Sequence, residues 1–237
     1  MTSNGLSADK VVPIDKAVTA FIRPGMTLLV GGFGRGGAPF SLLEYLADHA
    51  DAFGNLTLVK NDASEPHLGL GPLFRAGMVK TLISTHIGLN PEVIAMMNRG
   101  EVAVTLIPQG IFAEKIRAKG AGIPAFLTDI GIDTPLAEGR DKVVLNGRPY
   151  LIEEALGGDV SLLCADKVDR MGNCWWRGSN RNMNVVMGTA SRHVIVEAFD
   201  IVDLGAIPPE DVQLPGLYVD AVVQAENRRH KTSKEAT

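Results

Sequence analysis

The sequence has few cysteines and few aromatic residues, and it carries no excess of basic charge. Its 237 residues include two cysteines, Cys164 and Cys174, with neither a C-x-x-C pair nor a histidine at zinc-ligand spacing. We therefore predict reduced core thiols rather than a disulfide or a metal site. The formal net charge of −4 at pH 7 provides no general positive field for nucleic acid.

Long apolar runs are absent as well. No apolar stretch approaches the roughly 18 residues that a membrane-spanning helix needs, and the first residues lack the apolar core of a signal peptide. We therefore expect a cytoplasmic protein that binds neither a membrane nor nucleic acid.

Signatures of a catalytic nucleophile are also missing. The sequence contains no G-x-S-x-G, no H-E-x-x-H and no cysteine beside a candidate base, which are motifs that carry nucleophilic or metal-assisted catalysis. Glu153 and Glu154 are a candidate carboxylate pair, but adjacent residues of a strand point to opposite faces. By themselves, the residues indicate an α/β ligand-binding protein without a catalytic group of its own.

What the sequence does contain is a regular alternation of apolar runs and amphipathic segments. This alternation indicates parallel βαβ units, so we predict an α/β fold with a mostly parallel sheet and flanking helices. Strands are predicted at 26–30, 55–60, 79–84, 101–107, 160–165 and 193–197, and helices at 14–22, 39–50, 91–98 and 111–119.

The alternation is interrupted between residues 120 and 152. Short apolar runs on either side of Asn146-Gly147 are typical of a hairpin, which predicts a small β subdomain in this region. The polar ends, residues 1–10 and 227–237, have the composition of disordered segments. We therefore expect one domain that spans residues 11–226.

Five glycines in seven residues mark the loop between the first predicted strand and the next helix. They are Gly31, Gly32, Gly34, Gly36 and Gly37, and Pro39 follows them. Without a Cβ, such a loop can adopt positive φ angles and let a ligand approach its N–H groups. The helix that follows would offer further N–H donors and a partial positive charge to an anion. We favour a ligand loop over a tight turn that only packs the helix against the strand.

A dinucleotide site is a second interpretation of the same loop. Gly32, Gly34 and Gly37 satisfy G-x-G-x-x-G, and the acidic residue after the next strand would be Asp62, 25 positions beyond Gly37. One such match does not establish the fingerprint. The change Gly37→Val would block a ligand or force a disfavoured φ, so we expect it to abolish turnover while leaving assembly intact.

Three predicted loops follow strands, at 31–37, 84–90 and 108–110. In open parallel sheets, ligands bind at the carboxyl ends of the strands, so we expect these loops to converge on one crevice. Gln109, between Pro108 and Gly110, could present an amide donor to a carboxylate or thioester oxygen, or serve only as a structural polar residue.

Four other residues are candidates for the site, each with a structural alternative. His86 could be a general base, although a hydrogen-bonded structural histidine is the simpler interpretation. Arg181, between amides in the stretch 180–184 (NRNMN), suits a phosphate or carboxylate but is also normal in a capped turn. We expect Trp175 and Trp176 to pack in the interior, with one of them as a candidate for lining a pocket or an intersubunit contact.

The glycine loop contains Gly31-Gly32-Phe33, followed after three residues by Gly37-Ala38-Pro39. This pattern resembles the first signature of the family I CoA-transferases, in their alpha subunit. The resemblance covers nearly all of residues 12–226. Further similar stretches follow in the same order: HIGLNPE (86–92), PQG with AEKIRAKGAGIPAF (108–126), DRMGN (169–173), NRNMN (180–184) and LPGLYVD (214–220).

This resemblance implies a fold shared with ribose-phosphate isomerase-like proteins, and an A2B2 assembly of alpha and beta chains or a fused pair. In the family, the beta subunit carries the catalytic glutamate in an S-E-N-G motif, which this chain lacks. Coenzyme A is then a cosubstrate, and no metal is needed. The residues that would line the CoA crevice are Gly31, Gly32, Phe33, Gly34, Arg35, Gly36, Gly37, Gln109 and Gly110, with Gln109 orienting the acyl oxygen.

The resemblance leaves the substrate open. An acyl-CoA or succinyl-CoA donor with a short-chain or 3-oxo acid acceptor is our main expectation, and 3-oxoadipate is the alternative acceptor. Arg35 would favour a second carboxylate on the substrate unless it faces solvent, whereas Asp129 and Asp133, where the family commonly has neutral residues, would disfavour one. The more distant alternatives are an oxidoreductase that uses the glycine loop and a non-catalytic binding protein of a larger complex.

Overall fold

The structure, a computed structural model, describes residues 9–226. Its strands are β1 (Thr27–Val30), β2 (Leu56–Val59), β3 (Val79–Ser84), β4 (Ala103–Leu106), β5 (Ala125–Thr128), β6 (Lys142–Leu145), β7 (Arg148–Glu154), β8 (Gly158–Asp169), β9 (Cys174–Trp175), β10 (Ser191–Val202) and β11 (Ala221–Gln224). Its helices are α1 (Ile14–Phe21), α2 (Phe40–Asp48), α3 (Gly71–Arg75), α4 (Pro91–Asn98), α5 (Gln109–Gly120) and α6 (Asn184–Gly188).

Eight strands form one sheet in the order β11-β10-β8-β1-β2-β3-β4, with β9 paired to β8. Every pair along this order is parallel, as in the register Leu28↔Leu58 between β1 and β2. The predicted α/β fold with a mostly parallel sheet is therefore confirmed. Because the strands run in one direction, the loops that follow β1, β2, β3, β4 and β8 leave from the same edge of the sheet.

Helices cover both faces of this sheet, which explains why its strands consist of continuous apolar runs. Along β1, Leu28 and Val30 pack in one core with residues of α1 to α4. Leu29 points to the other face and packs in a second core with α5 and α6. The strand is buried on both faces, so its position and that of the loop after it are fixed by packing.

The small β subdomain predicted for residues 120–152 is a separate antiparallel sheet in the order β5-β7-β6. It extends to Glu154, and its edge strand β5 was not anticipated from the sequence. Glu153 and Glu154 point to opposite faces, as expected. Glu153 is buried and accepts from Lys115 at 2.7 Å and from Arg140, whereas Glu154 is exposed.

Two predicted boundaries near the crevice are wrong. Helix α5 begins at Gln109 rather than at residue 111, so Gln109 and Gly110 form its first turn and not a loop. Helix α2 begins at Phe40, and Pro39 is the residue before it, with ψ at 72° outside the helical range. Both differences are of one or two residues, which is the range within which helix ends fray and apolar periodicity does not fix a boundary.

The segments predicted to be disordered, 1–10 and 227–237, lie outside the described residues except at Asp9 and Lys10. There the structure differs from the expectation. The backbone N–H of Lys10 donates to the carbonyl of Arg170 at 2.8 Å, and Nζ of Lys10 donates to the carbonyls of Gly216 and Val219 at 2.7 Å each. A lysine side chain bound to two carbonyls ties this residue to the rest of the chain.

The two cysteines are core residues, as predicted. Cys164 and Cys174 are both buried and unbridged, and burial raises the pKa of each thiol. Among residues 9–226, no helix is both long enough and apolar enough to cross a membrane.

Candidate active-site crevice

The loops at the carboxyl edge of the sheet are joined by hydrogen bonds, as their predicted convergence requires. The hydroxyl of Thr85, after β3, lies 2.7 Å from Oε1 of Gln109, after β4, and 2.5 Å from the carbonyl oxygen of Asn61, after β2. The next residue, Asp62, accepts from the N–H of Gly34, after β1, at 2.9 Å. A continuous path of contacts therefore connects Gln109 with the glycine loop.

The glycine loop, Gly31 to Gly37, is a tight turn with left-handed backbone. The N–H of Phe33 donates to the carbonyl of Gly36 at 2.9 Å, and the N–H of Gly36 donates to the carbonyl of Phe33 at 3.1 Å. Gly32, Gly34 and Gly37 have φ angles of 96°, 55° and 64°. Residues with a Cβ rarely adopt φ angles in this range.

Three of the five glycines are required by the packing of the protein itself. A Cβ on Gly31 would collide with the amide of Asn184, one on Gly32 with Ala38, and one on Gly37 with the carbonyl of Asn180. The reason expected for glycine at position 37 is thus only partly right. The positive φ angle does disfavour other residues, but a side chain there would collide with the protein's own backbone rather than with a ligand. In contrast, a Cβ on Gly34 would meet open space.

The N–H groups of the loop differ in whether the protein supplies an acceptor. Those of Gly31 and Gly34 are bound by the carbonyl of Leu162 and by Asp62, and those of Phe33 and Gly36 bind within the loop. Within residues 9–226, the N–H groups of Gly32, Arg35 and Gly37 have no acceptor. Buried N–H groups are nearly always paired, and Gly32 and Gly37 are buried. The described part of the protein therefore leaves three N–H donors of the loop without an acceptor of its own.

The N-terminus of α2 is not available to a ligand, contrary to the expectation from the sequence. The buried carboxylate of Glu197, from β10, accepts from Oγ of Ser41 at 2.9 Å and from the N–H of Leu42 at 3.1 Å. Burial raises the pKa of Glu197 to about 7, and these hydrogen bonds oppose the shift. A carboxylate of the protein thus occupies the place where an anion would bind.

The dinucleotide interpretation fails at two points for this reason. The helix N-terminus that would hold the pyrophosphate is occupied by Glu197, and Asp62 is buried and already bound to Gly34, Ser64 and Lys60. Neither group is free to bind a dinucleotide in the way that the fingerprint requires.

Two asparagines hold the other side of the glycine loop, and a third joins their stretch of chain to β8. The amide of Asn184 donates to the carbonyl of Gly37 at 3.1 Å and accepts from the N–H of Cys164 at 3.3 Å. Asn182 donates to the carbonyl of Gly36 at 3.1 Å, and Asn180 donates to Asp166 at 3.2 Å. The stretch 180–184 is thus mainly a structural brace between β8 and the loop.

A cleft of about 440 Å³ opens between the glycine loop and this brace. It is lined by Phe33, Gly36, Gly178, Ser179, Arg181 and Asn182. Arg181 is exposed there, and its guanidinium has no partner within residues 9–226. Arg35, by contrast, donates two hydrogen bonds to Glu65, at 3.0 Å and 2.8 Å, although it is largely exposed. The uncommitted cation beside the loop is therefore Arg181.

The Gln109 amide is held by Thr85 at the exposed first turn of α5. The hydroxyl of Thr85 has one proton, which it donates either to the carbonyl of Asn61 or to the side-chain amide of Gln109. If it donates to Asn61, the amide of Gln109 is turned so that its nitrogen donates to the hydroxyl of Thr85. Either arrangement leaves at least one amide N–H of Gln109 for a ligand. Gly110 is exposed beside it, with open space where a Cβ would lie.

The remaining candidates have mixed outcomes. The side chain of His86 is exposed, and its backbone forms a bridge with Asp62. Trp176 is buried and donates to the carbonyl of Cys164 at 2.5 Å, as expected for a packing residue. Trp175 lines a second cleft, where Nζ of Lys167 lies 5.5 Å from its ring centre.

Three important residues were missed in the sequence: Lys60, Thr85 and Glu197. For two of them, the available signal was a charged residue within or directly after an apolar run, Lys60 in NLTLVK and Glu197 in HVIVEAF. An unpaired charge is rarely buried, so a charge in a run that is predicted to be buried indicates a specific partner. Thr85 gave no signal, since a threonine that ends a strand is common.

Together, these features define an α/β protein with a candidate ligand-binding crevice at the carboxyl edge of a parallel sheet. Its free groups are N–H donors, one amide and one guanidinium, which suit a carbonyl oxygen or an anion. Among residues 9–226, no group of three or more His, Cys, Asp or Glu side chains is arranged to hold a metal ion.

Residues 11–225 match the family model described as coenzyme A transferase, and the chain belongs to this family. It is 42% identical over 227 residues to the alpha subunit of a probable coenzyme A transferase of Bacillus subtilis, which covers 95% of this chain and 98% of the relative. It is 37% identical to the alpha subunit of the acetate CoA-transferase of Escherichia coli K12, over 89% and 95% of the two chains. The chain is thus the alpha subunit of a family I CoA-transferase.

Solved structures agree on the fold. An acyl-CoA transferase of Escherichia coli O157:H7, determined as a thioester complex with CoA, superposes with a TM-score of 0.82 at 24% identity, over 92% of this chain and 47% of that one. The chain thus spans about half the length of that protein. Glutaconate coenzyme A-transferase of Acidaminococcus fermentans superposes with a TM-score of 0.80 at 17% identity, over 91% and 75% of the chains.

Proposed function

We propose that this chain binds the acyl-CoA substrate of a heteromeric CoA-transferase, and that a separate beta subunit supplies the catalytic glutamate in an S-E-N-G motif. The observation that carries this proposal is the set of unbound donors at the crevice, the N–H groups of Gly32, Arg35 and Gly37 with the Gln109 amide, in a chain that lacks that motif. An A2B2 assembly in the cytoplasm is the form that we propose.

The donors divide the crevice into two parts. Gln109 lies on the β4 side, where it can donate to the acyl oxygen of the thioester, and one such donor contributes about 3 kcal/mol to a transition state. Phe33 and Arg181 lie on the β8 side, where the cleft of about 440 Å³ offers an exposed aromatic ring and a cation. These two groups suit the pantetheine arm and an anionic group of the substrate.

The chemistry then follows from the partner's carboxylate. The glutamate attacks the thioester carbonyl, the C–S bond breaks, and a mixed anhydride and a CoA thiolate form. The thiolate attacks the glutamyl carbonyl and releases the first acid as its carboxylate. The acceptor carboxylate then reacts with the glutamyl-CoA thioester in the reverse sequence. In this scheme, Gln109 stabilises the charge that develops on the acyl oxygen.

The relatives support a small carboxylate as the acceptor. The Escherichia coli K12 relative is named as part of an acetate CoA-transferase. A Xanthomonas campestris relative, 39% identical over 93% of this chain and 90% of its own length, is named as part of a succinyl-CoA:3-ketoacid coenzyme A transferase. We propose an acyl-CoA or succinyl-CoA donor with a short-chain or 3-oxo acid acceptor, as in ketone-body or short-chain fatty acid metabolism. The paired state of Arg35 gives no support to 3-oxoadipate.

Coexpression with a partner chain that carries S-E-N-G tests this proposal. We expect the purified complex to transfer CoA from succinyl-CoA or acetoacetyl-CoA to acetoacetate or acetate, and the alpha chain alone to transfer none. A stable complex without CoA transfer would support a non-catalytic binding role instead. A strong preference for 3-oxoadipate over acetoacetate would replace the proposed acceptor.

The variant Arg181→Ala separates the two anionic groups that the cleft could bind. A charge-assisted contact of this kind changes affinity by about tenfold. A rise in KM for acyl-CoA alone would assign Arg181 to a phosphate of CoA, and a rise in KM for the acid alone would assign it to the carboxylate. If neither KM changes, Arg181 is not part of the site.

A further inference from the structure

A buried ion pair lies directly under the glycine loop. Lys60, at the end of β2, is fully buried, and its Nζ donates to Oδ1 of Asp62 at 3.0 Å and to Oδ1 of Asn61 at 3.3 Å. Asp62 is buried as well. Burial alone would raise the pKa of Asp62, but the charge of Lys60 and the N–H groups of Gly34 and Ser64 outweigh it and lower the pKa. The carboxylate is therefore ionised at neutral pH.

Both oxygens of Asp62 accept from the backbone. Oδ1 accepts from the N–H of Ser64 at 2.7 Å, and Oδ2 accepts from the N–H of Gly34 at 2.9 Å. Gly34 and Ser64 both have positive φ angles, 55° and 56°. A carboxylate can hold two such turns at once because it has two acceptor oxygens, whereas an amide has only one.

A buried ion pair is a weak source of stability, since the loss of hydration roughly cancels the attraction between the charges. Stability alone therefore does not explain this one. Its contacts point to a different role, because Gly34 is flanked by Phe33 and Arg35, and Arg35 carries one of the three unbound N–H donors of the loop.

We propose that Asp62, with its charge balanced by Lys60, is a positioning residue that fixes the glycine loop in the conformation that presents its free N–H groups to the acyl-CoA. The proposal rests on the proposed function for its catalytic consequence. It places no contact between Asp62 and the substrate, because the carboxylate is turned toward the backbone of Gly34 and Ser64.

The ion pair of Lys60 and Asp62 is also connected to Gln109, through Asn61 and Thr85. Thr85 binds Asn61 through its backbone N–H, at 3.2 Å, and through its hydroxyl, which also contacts Gln109. The segment that carries Asp62 therefore contacts the glycine loop directly and is connected to Gln109 through Thr85. A shift of this segment would move the loop donors relative to the Gln109 amide.

The test uses the double variant Lys60→Met/Asp62→Leu, which removes both charges together and leaves neither one stranded in the interior. We expect the amide of Gly34 to exchange its hydrogen at least about tenfold faster in the full chain, measured by NMR. In the heteromeric complex, we expect kcat/KM for CoA transfer to fall about tenfold or more. The single variant Asp62→Asn, with one acceptor oxygen, should lie between wild type and the double variant.

The matched control is Asp159→Leu. Oδ2 of Asp159 accepts from the N–H of Thr27 at 2.8 Å, at the opposite end of β1. This variant removes the same kind of hydrogen bond, from a backbone N–H to a carboxylate, at a site away from the loop. We therefore expect it to lower the Tm while Gly34 exchange and kcat/KM stay within about twofold of wild type.

Two results would overturn the proposal. One is Gly34 exchange that stays at the wild-type rate in the double variant. The other is an equal fall of kcat/KM in the double variant and in Asp159→Leu, which would reduce the pair to a structural role. If the wild-type complex transfers no CoA, the proposed function fails, while the exchange rate of Gly34 still decides whether Asp62 fixes the loop.

Discussion

The glycine loop is held from two sides by different chemistry. On the β8 side, the neutral amides of Asn182 and Asn184 donate to the loop carbonyls of Gly36 and Gly37. On the β2 side, the ionised Asp62 accepts from the loop N–H of Gly34. The amide side leaves no room for a Cβ on Gly37, whereas a Cβ on Gly34 would meet open space.

This difference separates two kinds of sensitivity. Close packing makes the amide side sensitive to added atoms, because a well-packed interior cannot accommodate them without strain. The carboxylate side depends on charge, because a buried acid binds N–H donors best when it is ionised. The loop is thus rigid at its helix end and tied by an ion pair at its tip, which is where the unbound Arg35 N–H lies.

The largest effect should come from breaking the amide side with Gly37→Val. The new side chain would collide with the carbonyl of Asn180 at a φ of 64°, so we expect about 3–5 kcal/mol of lost stability together with loss of CoA transfer. Urea unfolding and activity assays measure both. Gly25→Val is the control, since Gly25 has a φ of 79° and open space around its Cβ position. An equal loss in both variants would contradict the packing argument.

The second largest effect should be a pH dependence of stability caused by Glu197, which binds the N-terminus of α2. Its pKa in the folded state is raised from 4.5 to about 7, so the folded protein retains a proton that the unfolded chain releases. Stability should therefore decrease as the pH rises from about 4.5 to about 7, by at most about 3 kcal/mol. Glu197→Gln should lack this decrease when urea unfolding is compared at pH 5 and pH 8. An identical pH dependence in the variant would show that another group causes it.

A smaller effect is expected where Thr85 joins the β2 side to Gln109. Thr85→Val removes the hydroxyl that contacts Asn61 and Gln109, so kcat/KM for CoA transfer should fall about three- to tenfold, the effect of one hydrogen bond. Thr85→Ser should restore it. Thr19→Val is the control, because Thr19 donates to the carbonyl of Asp15 on the exposed side of helix α1. Unchanged kinetics in Thr85→Val would remove Thr85 from the site.

The smallest effect is expected at the exposed tip of the loop. Arg35→Ala breaks the pair with Glu65, in which both side chains are largely exposed, so the Tm should not change measurably. Since Glu65 already binds Arg35, we also expect KM for a dicarboxylate acceptor to be unaffected. A selective rise in that KM would mean that the substrate displaces Glu65 and that Arg35 recognises a second carboxylate.

The sequence predicted the elements of the fold well and the reasons for the site less well. The strands around the glycine loop, the small β sheet and the convergence of the loops were readable because each depends on a local pattern of apolar residues and turns. The role assigned to the start of α2 was wrong, because Glu197 reaches Ser41 across 156 positions of the chain. Asp62 was noticed as an acidic residue at the correct strand end, but its partners could not be known.

The sequence by itself determined the order of strands, loop and helix, the need for glycine in the loop, and the signatures of the CoA-transferase family. Only the tertiary structure decided which loop donors are free, which helix start is occupied and which arginine lacks a partner. The physical reason is that a hydrogen bond or ion pair depends on atoms brought within about 3 Å of each other, and here those partners come from distant strands. Local patterns fix where a polar group lies along the chain, and the fold decides whether a protein atom already binds it.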